Sequence, residues 1–148
     1  MTQEDKELLF KDLCARLPYG VKGKCKLNTS YDTSFGTIFQ THKFDVVVYG
    51  LTEDLLFVTP LIEDEDEQSF VKEEVAGGVD ILDFTPYLFP LSSMTEEQEK
   101  EYDFLRDSVP TYYCDNWKSI DYLNAHHFDY RGLIEKGLAI DATNLNIY

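Results

Sequence analysis

The chain has 148 residues, with 28 acids against 13 bases and a formal net charge of −15. That balance argues against a protein that grips nucleic acid through phosphate contacts, because such affinity comes from many Lys and Arg. An aromatic content of 14% excludes a disordered chain, and the length suits a single domain over residues 1–148 with a core that needs no disulfide.

Thr2 to Leu17 reads as an amphipathic helix, with Thr2 and Asp5 in capping-box positions. Leu9, Leu13 and Leu17 recur at four-residue spacing beside Phe10 and Cys14, and Pro18-Tyr19-Gly20 ends the helix. From Val21 to Leu27, Lys22, Lys24 and Lys26 alternate with apolar or small residues. The lysines then share one face of an edge strand, either as a solvated guard against pairing or as a small basic strip. A polar loop is expected over Asn28 to Ser34, and strands over Phe35–Gln40, Phe44–Tyr49 and Leu55–Thr59, with Gly50 to Asp54 as the turn between the last two.

Residues 61–110 hold 15 acids and 3 bases, so most of the excess charge lies there. The run Glu63-Asp64-Glu65-Asp66-Glu67 is expected as a loop, since consecutive like charges repel and belong in water. Phe70–Val75 and Val79–Phe84 read as strands about Gly77-Gly78, and Pro86 to Pro90 as a rigid apolar connection. Ser93 with Glu96, or Thr95 with Gln98, can cap a second helix that directs Tyr102, Leu105 and Val109 inward and stops at Pro110. Trp117, Ile120 and Leu123 mark a third helix capped by Asp115 or Asn116. Beyond it, Leu133-Ile134 and Leu138-Ala139-Ile140 are apolar pieces punctuated by Gly132 and Gly137. The order predicts an α+β fold: an N-terminal helix, a small antiparallel sheet of four or five strands able to curl into an SH3-like partial barrel, and two C-terminal helices.

Cys14, Cys25 and Cys114 are an odd set with no paired spacing, and the N-terminus is polar and acidic. The charge-free stretch from Phe84 to Thr95 is too short, and too broken by Pro86 and Pro90, to span a bilayer. A reducing cytoplasmic setting with free thiols is expected, with no membrane partner.

Three stretches carry a resemblance. Pro86-Tyr-Leu-Phe-Pro-Leu-Ser-Ser-Met-Thr-Glu-Glu-Gln98, then Ile120-Asp-Tyr-Leu-Asn124, then Phe128-Asp-Tyr-Arg-Gly-Leu-Ile-Glu-Lys-Gly-Leu-Ala-Ile140 resemble a group of short acidic proteins of phages, prophages and mobile elements of Bacteroides-type gut bacteria. The opening from Leu8 to Val21 is similar to theirs as well, whereas Lys22 to Phe84 matches nothing in the group. The resemblance implies a small accessory protein of a mobile element, and it supplies no catalytic residue.

His126-His127-Phe128-Asp129 is the best candidate for a metal or hydrolytic cluster, with Asp121, Asp115 or His42 as a third group. Adjacent histidines on a helix point about 100° apart, unlike the i, i+4 pair of a zinc protease, so helix-end histidines are the plainer reading. Cys114 near His126 could imitate a Cys-His pair, while Cys14 and Cys25 read as core thiols. The acidic run lacks the glycine and distal glutamate of a calcium loop, and Glu73, Glu74, Asp80 and Asp83 could pair as carboxylates. No pattern here requires a cofactor or assigns a catalytic residue.

Three functions are compatible with these residues. The leading one is a non-catalytic interaction protein that presents Glu63, Asp64, Glu65, Asp66, Glu67, Glu96 and Glu97 to a basic host or defence protein, as an inhibitor or DNA mimic. A second is a small-ligand binder that sequesters a nucleotide immune signal with Tyr112, Tyr113, Trp117, Tyr130 and Arg131. A third is a small hydrolase using the His/Asp cluster. Direct nucleic-acid binding is not expected, and the chain is read as a monomer or homodimer, with the edge strand at Val21 to Leu27 able to build a symmetric pair.

Overall fold

The computed structural model describes residues 1–107 and 117–148, with Tyr31 by its backbone alone. Its elements are α1 (Gln3–Arg16), β1 (Lys22–Thr33), β2 (Gly36–Leu51), β3 (Leu55–Pro60), α2 (Glu65–Glu74), β4 (Val79–Asp80), β5 (Phe84–Pro90), α3 (Glu96–Asp107), α4 (Trp117–Ala125), β6 (Phe128–Asp129) and β7 (Ile140–Asp141). The fold is α+β, with an N-terminal helix and two C-terminal helices. Among the described residues no helix is long and apolar enough to cross a membrane. The chain divides into two compact units, Met1–Pro86 and Tyr87–Tyr148.

In the first unit α1 begins with the reciprocal cap the sequence predicts: Asp5 N donates to Thr2 Oγ1 and Thr2 N to Asp5 Oδ2. A short 3₁₀ turn, Leu17–Tyr19, follows it, and Gly20 closes that turn in the left-handed region at φ 75°. The buried stripe of α1 is Leu9, Asp12, Leu13 and Arg16. Half of it is therefore charged. Arg16 Nε donates to Asp12 Oδ2 at 2.7 Å and Nη2 to Oδ1 at 3.1 Å, and both side chains are fully buried. Cys14, expected on this stripe, is instead exposed, because it lies one residue off the buried positions.

The strands are longer than their apolar pattern suggests. Residues 28–34 form strand and turn rather than a polar loop, and the two segments expected over residues 35–49 are one strand, β2. The β1–β2 register runs unbroken from Lys22↔Val47 to Thr33↔Gly36, leaving Ser34-Phe35 as a two-residue turn. Cross-strand polar pairs stand in for burial: Thr41 donates to Asn28 Oδ1 at 2.8 Å and Thr37 to Asp32 Oδ1 at 2.7 Å. A two-residue turn and matched polar pairs override the loop-like composition.

Nor is β1 an edge from Gly23 to Cys25. Gly23, Lys24 and Cys25 pair with Pro86, Thr85 and Phe84 of β5, so this part of the strand lies between β2 and β5. Gly23 makes that approach possible. A Cβ there would sit 2.4 Å from the Phe84 ring and 2.5 Å from Thr85 O. On the other side β3 and then β4 complete an antiparallel set. Leu9, Leu13, Val21, Cys25, Val46, Val48, Leu56, Val71, Ile81 and Phe84 form the core of this unit.

The stretch expected as acidic loop and strand, residues 63–75, is largely helix. Val71 and Val75, four residues apart, are both buried, which is a helical spacing. Val79–Phe84 resolves into the two-residue β4, a 3₁₀ turn at Ile81–Asp83, and the start of β5.

In the second unit the apolar connection expected over Pro86–Pro90 is strand. Tyr87 and Leu88 pair in parallel with Ile140 and Asp141 of β7, and Phe89 and Pro90 with Phe128 and Asp129 of β6. These parallel pairs have no counterpart in the sequence pattern, since each joins only two residues from distant segments. α3 opens with the second of the two expected caps: Gln98 N donates to Thr95 Oγ1 and Thr95 N to Gln98 Oε1. Tyr102 and Leu105 pack against Tyr122, Leu123 and Phe128. The helix marked by Trp117, Ile120 and Leu123 is α4; Trp117 and Ile120 are exposed on it, while Ser119, Tyr122 and Leu123 occupy the buried face. Val109, Pro110 and the caps Asp115 and Asn116 lie outside the described residues.

The buried ion pair makes a direct prediction. Arg16→Ala removes the bidentate partner of the buried Asp12 carboxylate and is expected to cost about 3–5 kcal/mol in urea denaturation. Asp12→Leu/Arg16→Met, which removes both charges, should cost much less. Equal losses in the two variants would contradict the pair's role.

Candidate functional site

The acidic clusters are helix starts. Asp64 Oδ1 accepts from Glu67 N at 2.9 Å and caps α2, while Glu65, Asp66 and Glu67 fill its first turn. Carboxylates there meet unpaired N–H groups and the positive end of the helix dipole, which offsets their mutual repulsion. Glu63 precedes the cap, and all five residues are exposed. Glu96 and Glu97 occupy the first turn of α3 and are exposed likewise. The two clusters belong to different units.

Helix α3 has no buried residue, although Tyr102 and Leu105 are partly covered. Its outer side carries Glu97, Lys100, Glu101, Asp107 and the Phe104 ring, which is 72% exposed. Arg106 is clamped between Asp103 at 2.9 Å and Asp107 at 3.0 Å, which holds its guanidinium to its own helix. The Tyr122 hydroxyl is pushed above its ordinary value by burial, and further by the Glu101 carboxylate.

The histidine cluster is built into the second unit's packing. His126 Nδ1 lies 3.0 Å from Tyr122 O, and its ring meets the Tyr122 ring at 4.1 Å. His127 stands in the left-handed region at φ 57°, with its ring stacked on Tyr148 at 3.9 Å. Asp129 accepts three backbone N–H groups, from Arg131 at 3.3 Å, Leu133 at 3.0 Å and Ile134 at 2.8 Å. Its carboxylate thus holds the following turn. Asp121 is exposed on α4. His42 belongs to the first unit, against Phe70. Among the described residues no group of three or more His, Cys, Asp or Glu could hold a metal ion.

Both histidines line a cavity of about 400 Å³ with Phe89, Ser93, Gln98 and Tyr148. Sequence reasoning did not reach this cavity: Tyr148 lies 21 positions from His127, and only the C-terminal residues' return to β5 brings them together. Tyr148 Oη donates to Tyr87 O at 3.2 Å.

Of the residues proposed for a nucleotide, Tyr130 and Arg131 do meet. Arg131 Nη2 donates to Tyr130 Oη at 2.9 Å, its guanidinium lies 4.8 Å from that ring's centroid, and Tyr130 Oη donates to Asn124 Oδ1 at 3.1 Å. Trp117 is 60% exposed with Lys118 over its ring at 5.7 Å. Tyr112 and Tyr113 lie outside the described residues, as does Cys114. Glu73 and Glu74 end α2, and Asp80 Oδ1 accepts from Leu82 N at 2.8 Å to cap the 3₁₀ turn. No family model matches the chain, and no curated protein or solved structure does.

Cys14 and Cys25 are free thiols, one exposed and one buried. Burial, aided by Asp83, pushes the Cys25 thiol up to about 12. Because the thiolate is the reacting form, Cys25 should resist iodoacetamide at pH 8 in the folded protein while Cys14 is labelled. Peptide mass spectrometry before and after denaturation checks this. Equal labelling of the two in the native state would contradict the burial of Cys25.

Proposed function

We propose that the chain is a non-catalytic binding protein of a phage or mobile element that engages a basic protein surface through its acidic helices. The observation that carries this reading is the exposed Phe104 ring on α3, with Glu97, Glu101 and Asp107 at helical spacing around it. An aromatic anchor rimmed by carboxylates suits a partner that offers an apolar pocket bordered by Lys or Arg. The acids of α2 add long-range attraction to the same kind of partner and repel nucleic acid. Inhibition of a DNA-handling host or defence protein is the form this takes on the resemblance to mobile-element proteins.

The test is capture from the bacterial host at low salt, followed by mass spectrometry. A stoichiometric basic protein should be retained, released at high salt, and lost with Glu97→Lys/Glu101→Lys. Phe104→Ala should weaken its binding about thirtyfold. Retention that is indifferent to salt and to both variants would overturn the reading.

A second reading, a small-ligand binder, is supported by the cavity of about 400 Å³ beside His127 and Tyr148, which falls in the size range of ligand pockets. It predicts that one of a panel of mono-, di- and cyclic nucleotides raises the melting temperature, and that Tyr148→Ala abolishes the shift. A melting temperature unmoved by the whole panel would remove it.

A further inference from the structure

The β1–β2 hairpin reaches well beyond the core. None of the side chains described between residues 28 and 41 is buried, and Phe35 at the turn and Phe39 are 100% and 81% exposed. A free two-stranded ribbon is marginal in water; three or more strands, or a packed face, are needed to hold it. One edge of this ribbon is available for more. β2 accompanies β1 along its whole length, but β5 covers only Gly23, Lys24 and Cys25. From Lys26 to Thr33 the outer edge of β1 has no partner strand among the described residues.

We infer that this edge pairs with the same edge of a second copy, antiparallel about a two-fold axis at Thr29, to give a four-stranded sheet. Residues directly opposite each other across antiparallel strands point to the same face, so only registers that set even numbers against even are allowed. Centred on Thr29, the pairing sets Lys26 opposite Asp32 of the second copy at both ends, and Asn28 opposite Ser30. Lys26 and Asp32 are both exposed. Neighbouring allowed registers lose this match. Centred on Asn28, Asp32 falls opposite Lys24, which β5 already covers; centred on Ser30, Lys26 falls opposite Ser34 in the turn.

The charges of the hairpin favour the same arrangement. Within one copy Lys26 faces Lys43 directly, a like-charge pair that costs stability. A second copy places a carboxylate on the other side of Lys26 and relieves it. Residues 22–43 hold four lysines and one aspartate, so the proposed seam is free of the acid excess of the whole chain, and the Lys26–Asp32 pairs at both ends offset repulsion between the lysines that remain. Added salt screens the remaining long-range repulsion between two chains of −15. This dimer goes beyond the partner-binding reading and does not depend on it.

Sedimentation equilibrium of the full chain tests the proposal. The wild type should behave as a dimer of the 17.2 kDa chain, and the dimer should persist at salt concentrations that release a basic partner. Lys26→Asp and Asp32→Lys each set like charges opposite one another at both ends, and should weaken dimerisation about tenfold or more. Circular dichroism melts confirm that each variant is folded. An equimolar mixture of the two variants places opposite charges at both ends again, and should associate as tightly as the wild type. A monomeric wild type at ~100 μM would overturn the inference, since that concentration reveals any dimer with a Kd of about 100 μM or tighter. So would a dimer unaffected by either variant, or a mixture that stays monomeric.

Discussion

The bidentate pair between Asp12 and Arg16 sets the terms for the first unit. Both side chains are fully buried, one helical turn apart on the face of α1 that packs into the core beside Leu9 and Leu13. Taken out of water, a guanidinium and a carboxylate are tolerated only where they are paired, and here each meets the other within α1 itself. Both partners stand on one helix, so the pair moves with it, and this charged turn enters the core as a single unit beside Leu9 and Leu13.

Sheet packing depends on a second close fit. Gly23 lets β5 lie against β1 where any side chain would strike the Phe84 ring and the Thr85 carbonyl. That contact covers β1 for three residues, and from Lys26 to Thr33 the outer edge has no partner strand among the described residues. The division of β1 into a short covered part and a longer open part gives the hairpin its exposed character, and it follows from the length of the β1–β5 pairing rather than from any change in composition along the strand.

Charge serves local structure before it serves binding. Asp64 and the acids after it start α2, Thr95 and Gln98 cap α3 ahead of Glu99, and Asp129 gathers three backbone N–H groups in the second unit. The Asp64 and Asp129 carboxylates accept from backbone N–H groups directly, and the first-turn acids of α2 and α3 lie at helix N-termini, which offsets part of their mutual repulsion in a chain of −15. The outward acids of α3, around Phe104, are what these local duties leave over for a partner.

Several features were legible from the residues alone. The Thr2–Asp5 and Thr95–Gln98 caps, the alternating lysines of β1, the strand at Leu55 and the α+β order all depend on near neighbours in the chain, where spacing maps directly onto geometry. What tertiary structure decided depends on distant segments. Residues 28–33 are strand because β2 supplies hydrogen-bond partners for a polar stretch. Residues 65–74 are helix because Val71 and Val75 have a core to enter and Asp64 caps the start. Asp12 and Arg16 look like an ordinary solvated i, i+4 pair until the sheet encloses them. The cavity beside His127 exists only because Tyr148 returns to Tyr87. Local hydrogen-bond chemistry can be read along the chain, whereas burial is a property of whatever the rest of the chain brings alongside, and spacing does not encode it.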